Sequence, residues 1–173
     1  MINQIKKWLH FYFLKKELKF HKANRQLLNI KDAKEIGIIF DATDVDQTAI
    51  INQFVDSLKV LKKKIYMFGY YNIPKAAINF NFPHFNKNNL NWCLEPSGVL
   101  VDEFIDRKFD ILINVSIKEN LPLEYIAALS QASYRVGLYD PQKLYCYDLM
   151  IDLKGNKTLQ KYIDQVKHYL DIL

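Results

Sequence analysis

Four short apolar runs, separated by segments with helical spacing, limit what this chain can fold into. Residues 35–41, 65–70, 109–115 and 134–138 are each apolar over most of their length and too short for a buried helix. Such runs are typical of strands buried on both faces, which occur in parallel sheets covered by helices. The sequence therefore predicts an α/β fold, a three-layer sandwich with a mostly parallel, Rossmann-like sheet.

The segments between these runs carry helix signals. Asp44 or Thr43 is expected to cap a helix that ends near Leu61, because Asp44 and Gln47 have the spacing of a capping box. Apolar periodicity predicts the remaining elements. They are helices over 98–107, 123–131 and 157–173, and one more strand within 145–153, antiparallel at an edge of the sheet.

The segment 72–97 has no clear pattern. It contains three prolines and many asparagines, and short strands are predicted at 77–80 and 90–93. Loops of this length in a compact domain are often functional or mobile. We expect a long, partly ordered excursion here.

Positive charge is concentrated near the N-terminus, although the whole chain carries only +5 at pH 7. Residues 1–34 hold nine basic residues against two acidic ones, a net charge of +7. The remaining 139 residues hold fifteen basic against seventeen acidic, a net charge of −2. This asymmetry divides the chain into a basic amphipathic helix over 1–30, preceding the sheet, and a single α/β domain over 31–173.

The basic segment lacks Pro and Gly and is predicted to form one helix of about 25 residues with two apolar faces. The broader face is expected to pack on the sheet or on a partner. It comprises Ile2, Ile5, Leu9, Tyr12, Phe13, Phe20, Ala23 and Leu27. The narrower face comprises Phe11, Leu14 and Leu18, which lie among Lys7, Lys15, Lys22 and Arg25.

Apolar side chains within a basic face suit an anionic partner. RNA or the ribosome is favoured, an anionic membrane surface comes second, and a protein complex is a further alternative. There is no signal for sequence-specific DNA binding. A solvated helix whose lysine stems cover apolar neighbours explains the same pattern without a partner. The residues predicted to bind the partner are Lys7, Phe11, Lys15, Leu18, Lys22 and Arg25.

The turn after the first strand argues against a dinucleotide-binding loop. Residues 41–46 contain no glycine and three carboxylates, which would repel a phosphate. Asp44, Asp46 and Thr48 form a DxDxT pattern that resembles the motif of haloacid-dehalogenase-like phosphatases. That resemblance implies a nucleophilic Asp and a Mg²⁺ ion. The alternative is an acid-rich helix N-terminus, which the helix dipole favours.

Other side chains give no sign of a cofactor or metal site. Cys93 and Cys146 match no metal-binding spacing and are expected to be buried, reduced thiols. The four histidines also lack metal spacing, so we predict no cofactor and no metal. No signal peptide and no apolar segment long enough to span a bilayer are seen. These features predict a cytoplasmic protein, with peripheral attachment to the inner membrane as a further expectation.

Residues 109–138 resemble part of a known enzyme fold. The strand at 109–114, the helix ending in Ala127–Ala132 and the Arg135-Val136-Gly137 strand look like a segment of the N-terminal domain of heptosyltransferase-type glycosyltransferases. Those enzymes pair two such domains and bind the sugar nucleotide mainly on the second. Over its whole length the chain resembles a small bacterial family of unknown function with a Rossmann-like body, which implies no activity.

These observations favour a non-catalytic binding or adaptor protein whose basic helix docks on an anionic partner. The alternative is a glycosyl- or nucleotidyl-transferase-like enzyme, or a degenerate relative of one. Its ligand would lie at the strand ends near Asp41, Asp44 and Ser116, where open α/β sheets bind ligands.

Overall fold

The computed structural model describes residues 2–74 and 80–173, with side chains from Gln4 onward. Its sheet has six strands, all parallel, in the spatial order β3-β2-β1-β4-β5-β6. The order reverses between β1 and β4, as in the Rossmann arrangement. The strands are β1 Glu35–Asp41, β2 Lys64–Tyr71, β3 His84–Asn86, β4 Ile111–Asn114, β5 Tyr134–Leu138 and β6 Leu149–Ile151.

Helices cover both faces of the sheet and give two apolar cores, so the predicted α/β sandwich is confirmed. The described helices are α1 Ile2–Glu17, α2 Val45–Val60, α3 Val99–Asp106, α4 Leu121–Leu129 and α5 Leu159–Ile172. Buried residues of α2 and α5 share one core with one side of the sheet. Buried residues of α3 and α4 share the other core, to which Leu14 of α1 also belongs.

The predicted caps and strand runs agree with the structure in the centre of the fold. Four residues of β1, including Ile36 and Ile38, are fully buried because β2 and β4 flank it and helices cover both faces. Asp44 is the N-cap of α2, and its carboxylate accepts hydrogen bonds from the backbone amides of Asp46 and Gln47. Satisfying these amides stabilises a helix by about 1 kcal/mol.

Every residue of α4 is buried, including Glu124. A helix that is apolar on all sides must be covered on all sides. The sheet covers one side of α4, whereas α1 and the loop between β5 and β6 contribute to the cover on the other. The position of α1 therefore follows from the need to cover α4.

Helix α1 is shorter than predicted. It ends at Glu17, and residues 21–29 have no regular secondary structure, although the residue types favour a helix to residue 30. Arg25 donates hydrogen bonds to the carbonyl oxygens of Ser130 and Ala132. The backbone amide of Gln26 donates to Ser133 at 3.0 Å. These tertiary contacts hold the segment on the body and outweigh a helix propensity of a few tenths of a kcal/mol per residue.

Three smaller predictions at the edges of the sheet need correction. The last strand, β6, is parallel to β5 and not antiparallel, because the turns at 140–147 return the chain to the same end of the sheet. The segment 72–97 contains the unpredicted strand β3, and only Leu90 of the predicted strand 90–93 forms a bridge, to Pro96. Three of the four residues of the predicted strand 77–80 lie outside the described residues.

Candidate functional site

The side of α1 that packs on the α/β body is the narrower of its two apolar faces. Leu14 is 1% exposed and belongs to the core of α3 and α4, while Phe11 packs edge-on against Tyr145. Of the two alternatives predicted for the broader face, packing on the sheet is therefore wrong, and packing on a partner stays a prediction. Two polar residues on this side of α1, His10 and Glu17, find hydrogen-bond partners on the body.

His10 is one of these polar residues, and it is fully buried. Its Nδ1 lies 2.9 Å from the carbonyl oxygen of Cys93, and because a carbonyl only accepts, Nδ1 carries the proton. Burial lowers the pKa of His10, and the bond to Cys93 and the charges of Glu95 and Glu124 offset this only in part. The imidazole is therefore neutral near pH 7.

A second polar contact fixes the end of α1. The hydroxyl of Tyr125 on α4 donates a hydrogen bond to Glu17 Oε2 at 2.6 Å. Burial raises the pKa of Tyr125, and the bond to Glu17 raises it further, so the hydroxyl keeps its proton. Helix α1 is thus attached to the body at its middle and at its C-terminal end.

The six residues predicted to bind an anionic partner do not form one surface. Arg25 and Leu18 contact the body, and Phe11 packs on Tyr145. Lys7 Nζ lies 2.6 Å from Glu119 Oε1. Lys15 and Lys22 remain exposed. Sequence reasoning therefore selected four residues that hold the N-terminal segment on the body and two that face solvent.

The broader apolar face of α1 is exposed instead, together with Trp8 at its edge. The indole of Trp8 is 65% exposed and stacks on Tyr12, with ring centroids 5.7 Å apart. Ile5 and Phe13 on the same face are also more than a third exposed. Large apolar side chains that share one uncovered helix face mark an interaction surface more often than single exposed ones do.

Lysines surround this apolar face. Lys16 Nζ lies 4.5 Å from the centroid of the Tyr12 ring. Lys6 Nζ lies 5.5 Å from the ring of Trp92, which is 56% exposed in the loop beside α1. We call the set Ile5, Trp8, Tyr12, Phe13, Trp92, Lys6, Lys15 and Lys16 the aromatic–cationic face.

The lysines of the aromatic–cationic face keep their charge available. In the part of the chain that the structure describes, Lys6, Lys15 and Lys16 have no acidic side chain within ion-pair distance. Aromatic rings bordered by lysines can bind a surface that has both apolar and anionic groups. The rings contact the apolar groups, and the lysine ammonium groups contact the anionic ones.

A second candidate site lies at the carboxyl edge of the sheet. The structure brings together Asp41, Asp44 and Ser116, which line one cavity of about 490 Å³ beside the reversal point between β1 and β4. Asp41 accepts hydrogen bonds from the Thr43 amide and from Asn120. The structure thus places the three residues around one cavity at the strand ends, and the prediction that they bind a ligand stays a prediction.

The chemistry of this cavity disfavours a phosphate at the start of α2. The helix amides that would bind a phosphate there are occupied by the Asp44 carboxylate. Asp44 of the DxDxT pattern acts as a helix cap, and its second oxygen accepts from the Gln47 amide group at 3.0 Å. Within residues 2–74 and 80–173, no group of three metal-ligating side chains lies at this edge.

The fold and these two sites define an α/β protein with Rossmann-type strand order and an attached N-terminal helix that exposes aromatic and cationic side chains. The model of a family of unknown function, DUF6913, matches residues 6–173, and the chain belongs to that family. No curated protein matches the sequence. The predicted likeness to an unknown-function family is confirmed, whereas the resemblance to heptosyltransferases stays a prediction.

Among the described residues, no helix has both the length and the apolar content needed to cross a bilayer. The two predicted buried cysteines, Cys93 and Cys146, are free and buried. Burial raises the pKa of Cys146 to about 12, so its thiol is protonated and unreactive at neutral pH.

Proposed function

We propose that this protein is a binding or adaptor protein that attaches reversibly to an anionic membrane surface through the aromatic–cationic face of α1. The observation that carries the proposal is the exposure of Trp8, Tyr12 and Phe13 on one helix face with Lys16 against the rings. Helices that lie in a membrane interface have this combination of large apolar and cationic side chains. The α/β body would then be held beside the membrane as a platform.

A bilayer suits this surface better than RNA, the partner favoured by sequence. Proteins that stack nucleic-acid bases on aromatic rings place those rings in a charged groove. The aromatic–cationic face lies on the outer side of a helix, and Trp8 and Tyr12 stack on each other. Tryptophan and tyrosine rings are well suited to headgroup depth, where one end is apolar and the other is wet.

The expected attachment is weak and depends on charge. Each lysine near an anionic surface contributes about 1 kcal/mol. Lys6, Lys15 and Lys16 therefore contribute roughly 3 kcal/mol before the apolar side chains are counted. Binding of this kind is reversible and weakens as salt is added, because salt screens exposed charges.

Co-sedimentation with vesicles tests the proposal. The full chain is incubated with phosphatidylserine-containing vesicles or with phosphatidylcholine vesicles, and bound protein is measured at low and high salt. We expect binding to the anionic vesicles only. Tryptophan emission should also shift to the blue on binding, since both tryptophans of the chain, Trp8 and Trp92, belong to the aromatic–cationic face.

Paired variants locate the surface. Trp8→Ala with Tyr12→Ala, and separately Lys15→Glu with Lys16→Glu, should abolish vesicle binding. The matched controls are Val60→Ala with Leu61→Ala, at the exposed end of α2, and Lys154→Glu with Lys157→Glu, which are also exposed and change the net charge equally. Equal binding by test and control variants would contradict the proposal. Binding to ribosomes without binding to anionic vesicles would also overturn it and would favour the RNA alternative.

A second candidate function rests on the cavity that contains Asp41, Asp44 and Ser116. Its volume of about 490 Å³ falls within the range of small-molecule sites. Together with the resemblance of residues 109–138 to heptosyltransferases, it supports a glycosyl- or nucleotidyl-transferase-like protein or a degenerate relative. A thermal-shift screen with sugar nucleotides and Mg²⁺ tests this candidate. Absence of stabilisation by every nucleotide would rule it out.

A further inference from the structure

Trp92 belongs to a loop of the α/β body between β3 and α3, and not to α1. We call residues 89–97 the Trp92 loop. The indole of Trp92 is 56% exposed, whereas the next residue, Cys93, is buried. Tryptophan has one of the largest apolar surfaces of any side chain, so an exposed indole beside other exposed rings indicates a surface that a partner covers.

Hydrogen bonds within the Trp92 loop hold its tip in one conformation. The side-chain oxygen of Asn91 accepts from the backbone amides of Cys93 and Glu95, at 2.8 and 3.0 Å. The side-chain amide of Asn91 donates to Glu95 Oε2 at 2.6 Å. At the base of the loop, the backbone amide of Ser97 donates to the carbonyl oxygen of Asn89 at 2.9 Å. A loop that is ordered before it binds loses little conformational entropy on binding.

Two residues of α1, one helical turn apart, contact the tip of this loop. Lys6 Nζ lies 5.5 Å from the centroid of a Trp92 ring. His10 is fully buried, and its Nδ1 donates to the carbonyl oxygen of Cys93 at 2.9 Å. Because Cys93 directly follows Trp92 in the chain, the contact with His10 fixes the position of the indole relative to α1.

The charges beside Trp92 are complementary to the anionic surface proposed for α1. Lys6 forms no ion pair with any residue that the structure describes. Glu95 is the one acidic residue in the sequence of the loop, and its carboxylate is turned inward, with Oε1 buried and Oε2 bonded to Asn91. The surface at Trp92 therefore presents an apolar ring and a cation, and it continues the exposed face of α1.

We propose that the Trp92 loop is a second membrane-contact element and that His10 holds it against α1, so that both tryptophans enter an anionic bilayer together. This inference rests on the proposed function and extends the contact surface to the α/β body. Contact through α1 alone leaves the protein free to rotate about the long axis of that helix. Contact through two elements held on one surface fixes the orientation of the body at the membrane.

Two single-tryptophan proteins test the proposal, because the chain has only two tryptophans. Trp8→Phe leaves Trp92 as the reporter, and Trp92→Phe leaves Trp8. Each protein is bound to phosphatidylserine-containing vesicles with and without lipids brominated on their acyl chains, and emission and acrylamide quenching are measured. We expect both tryptophans to shift to the blue, to be quenched by brominated lipid and to be protected from acrylamide.

Truncation measures what the loop contributes to binding. Trp92→Ala should raise the Kd for the vesicles roughly fivefold to tenfold, since part of an apolar side chain no longer leaves water. The Tm should not change, because the indole is exposed. Ile172→Ala is the control, since Ile172 is 62% exposed on α5, which packs on the other face of the sheet. This variant should bind like the wild type.

Variants of His10 test its role as a positioning residue. His10→Leu removes the donor to the Cys93 carbonyl and should lower the quenching of Trp92 by brominated lipid at least by half, while the quenching of Trp8 is unchanged. His10→Gln keeps a donor and should restore the quenching of Trp92. If His10→Leu does not fold, as judged by circular dichroism, Asn91→Ala makes the same comparison, because Asn91 holds the tip of the loop.

The outcomes separate this inference from the proposed function. A wild-type protein that does not bind anionic vesicles would overturn both. Vesicle-bound protein in which Trp8 is quenched by brominated lipid while Trp92 stays open to acrylamide would overturn this inference alone. Wild-type quenching of Trp92 in His10→Leu, or in Asn91→Ala where that variant replaces it, would show that the contact between α1 and the loop does not position the indole.

Discussion

Lys7 Nζ lies 2.6 Å from Glu119 Oε1, and the same carboxylate oxygen lies 3.4 Å from Lys143 Nζ. Through Glu119, the first helix is joined to the buried ion pair of Lys143 and Glu124. A lysine that the sequence indicated as a docking residue therefore orients α1 on the body. With α1 in this orientation, Trp8 and Tyr12 remain exposed.

A double-mutant cycle on Lys7→Ala and Glu119→Ala should show a small coupling. Both side chains are nearly half exposed, so solvent screens the pair and the coupling should be about 0.2–1 kcal/mol. The hydrogen bond from Lys7 lowers the pKa of Glu119. Because the folded protein lowers this pKa, the Glu119 carboxylate stabilises the folded state at pH values above its unfolded pKa. That contribution to the free energy of unfolding is lost as the pH falls below about 4.5. Urea denaturation of the four proteins measures the coupling free energy. A coupling that persists at low pH would contradict this prediction.

Stability should also depend on His10 in mildly acidic solution. Burial lowers the pKa of His10 below 6.5 in the folded protein, so the unfolded chain takes up the proton first as the pH falls. The free energy of unfolding should then decrease below about pH 6.5, by at most about 1.4 kcal/mol per pH unit. The groups around the imidazole are the Cys93 carbonyl, the Tyr125 ring and the carboxylates of Glu95 and Glu124.

The variant His10→Gln isolates this effect. Glutamine retains a donor for the Cys93 carbonyl and does not ionise between about pH 7.5 and pH 5.5. Denaturation at these two pH values should show a larger loss of stability in the wild type than in the variant. An equal loss in both proteins would show that other groups cause the pH dependence.

The two faces of α1 should respond differently to truncation. Leu14→Ala removes a side chain that is 1% exposed and should destabilise the protein by about 2–4 kcal/mol. Trp8→Ala removes a larger but exposed side chain and should change stability by less than about 0.5 kcal/mol. Chemical denaturation compares the two. If Trp8→Ala were the more destabilising change, the broader face would be the packed one.

Gly137 in β5 should not tolerate a side chain. A Cβ at this position would lie 2.5 Å from atoms of the Tyr147 ring, which is buried and hydrogen-bonded to Asn114. Gly137→Ala should therefore destabilise the protein by about 1–3 kcal/mol. The double variant with Tyr147→Ala should be less destabilised than the sum of the single variants. Additive effects would indicate that the ring moves aside without cost.

Cys146 should be inert in the native protein. It is fully buried, and burial raises its pKa to about 12. Labelling with a maleimide at neutral pH should modify Cys146 only under denaturing conditions, as read by mass spectrometry of proteolytic fragments. Rapid modification without denaturant would show that the loop between β5 and β6 opens readily.

Sequence patterns identified two kinds of element. The first are those held by contacts between residues close along the chain, and the second are those buried among apolar side chains on every side. Strand β1 is apolar on both faces, so it belongs in the middle of a parallel sheet whichever way it turns. The N-cap at Asp44 involves residues within one helical turn, although the Gln47 side chain donates to the Asp44 carboxylate and not to its backbone, so the reciprocal capping box is not formed. Strand β3 was not predicted, because its three residues follow a proline and are too few to show an alternation of apolar and polar residues. The strand is defined by its pairing with β2.

The candidate sites depended more on contacts that are distant along the chain. Asp41, Asp44 and Ser116 were found because strand ends in a parallel sheet meet at one edge. The pair of Lys143 and Glu124 gave no such signal, since neither residue lies in a motif. Two apolar faces on α1 left its orientation open, and periodicity alone does not choose between them.

The sequence by itself determined that strands and helices alternate around a parallel sheet and that positive charge gathers at the N-terminus, because apolar period and net charge are properties of the chain. Only the tertiary structure decided which side of α1 faces the body, where that helix ends and which lysines remain unpaired. The groups that decide these points, the Cys93 carbonyl, Glu119 and the carbonyls of residues 130–133, are 83 or more residues away from their partners.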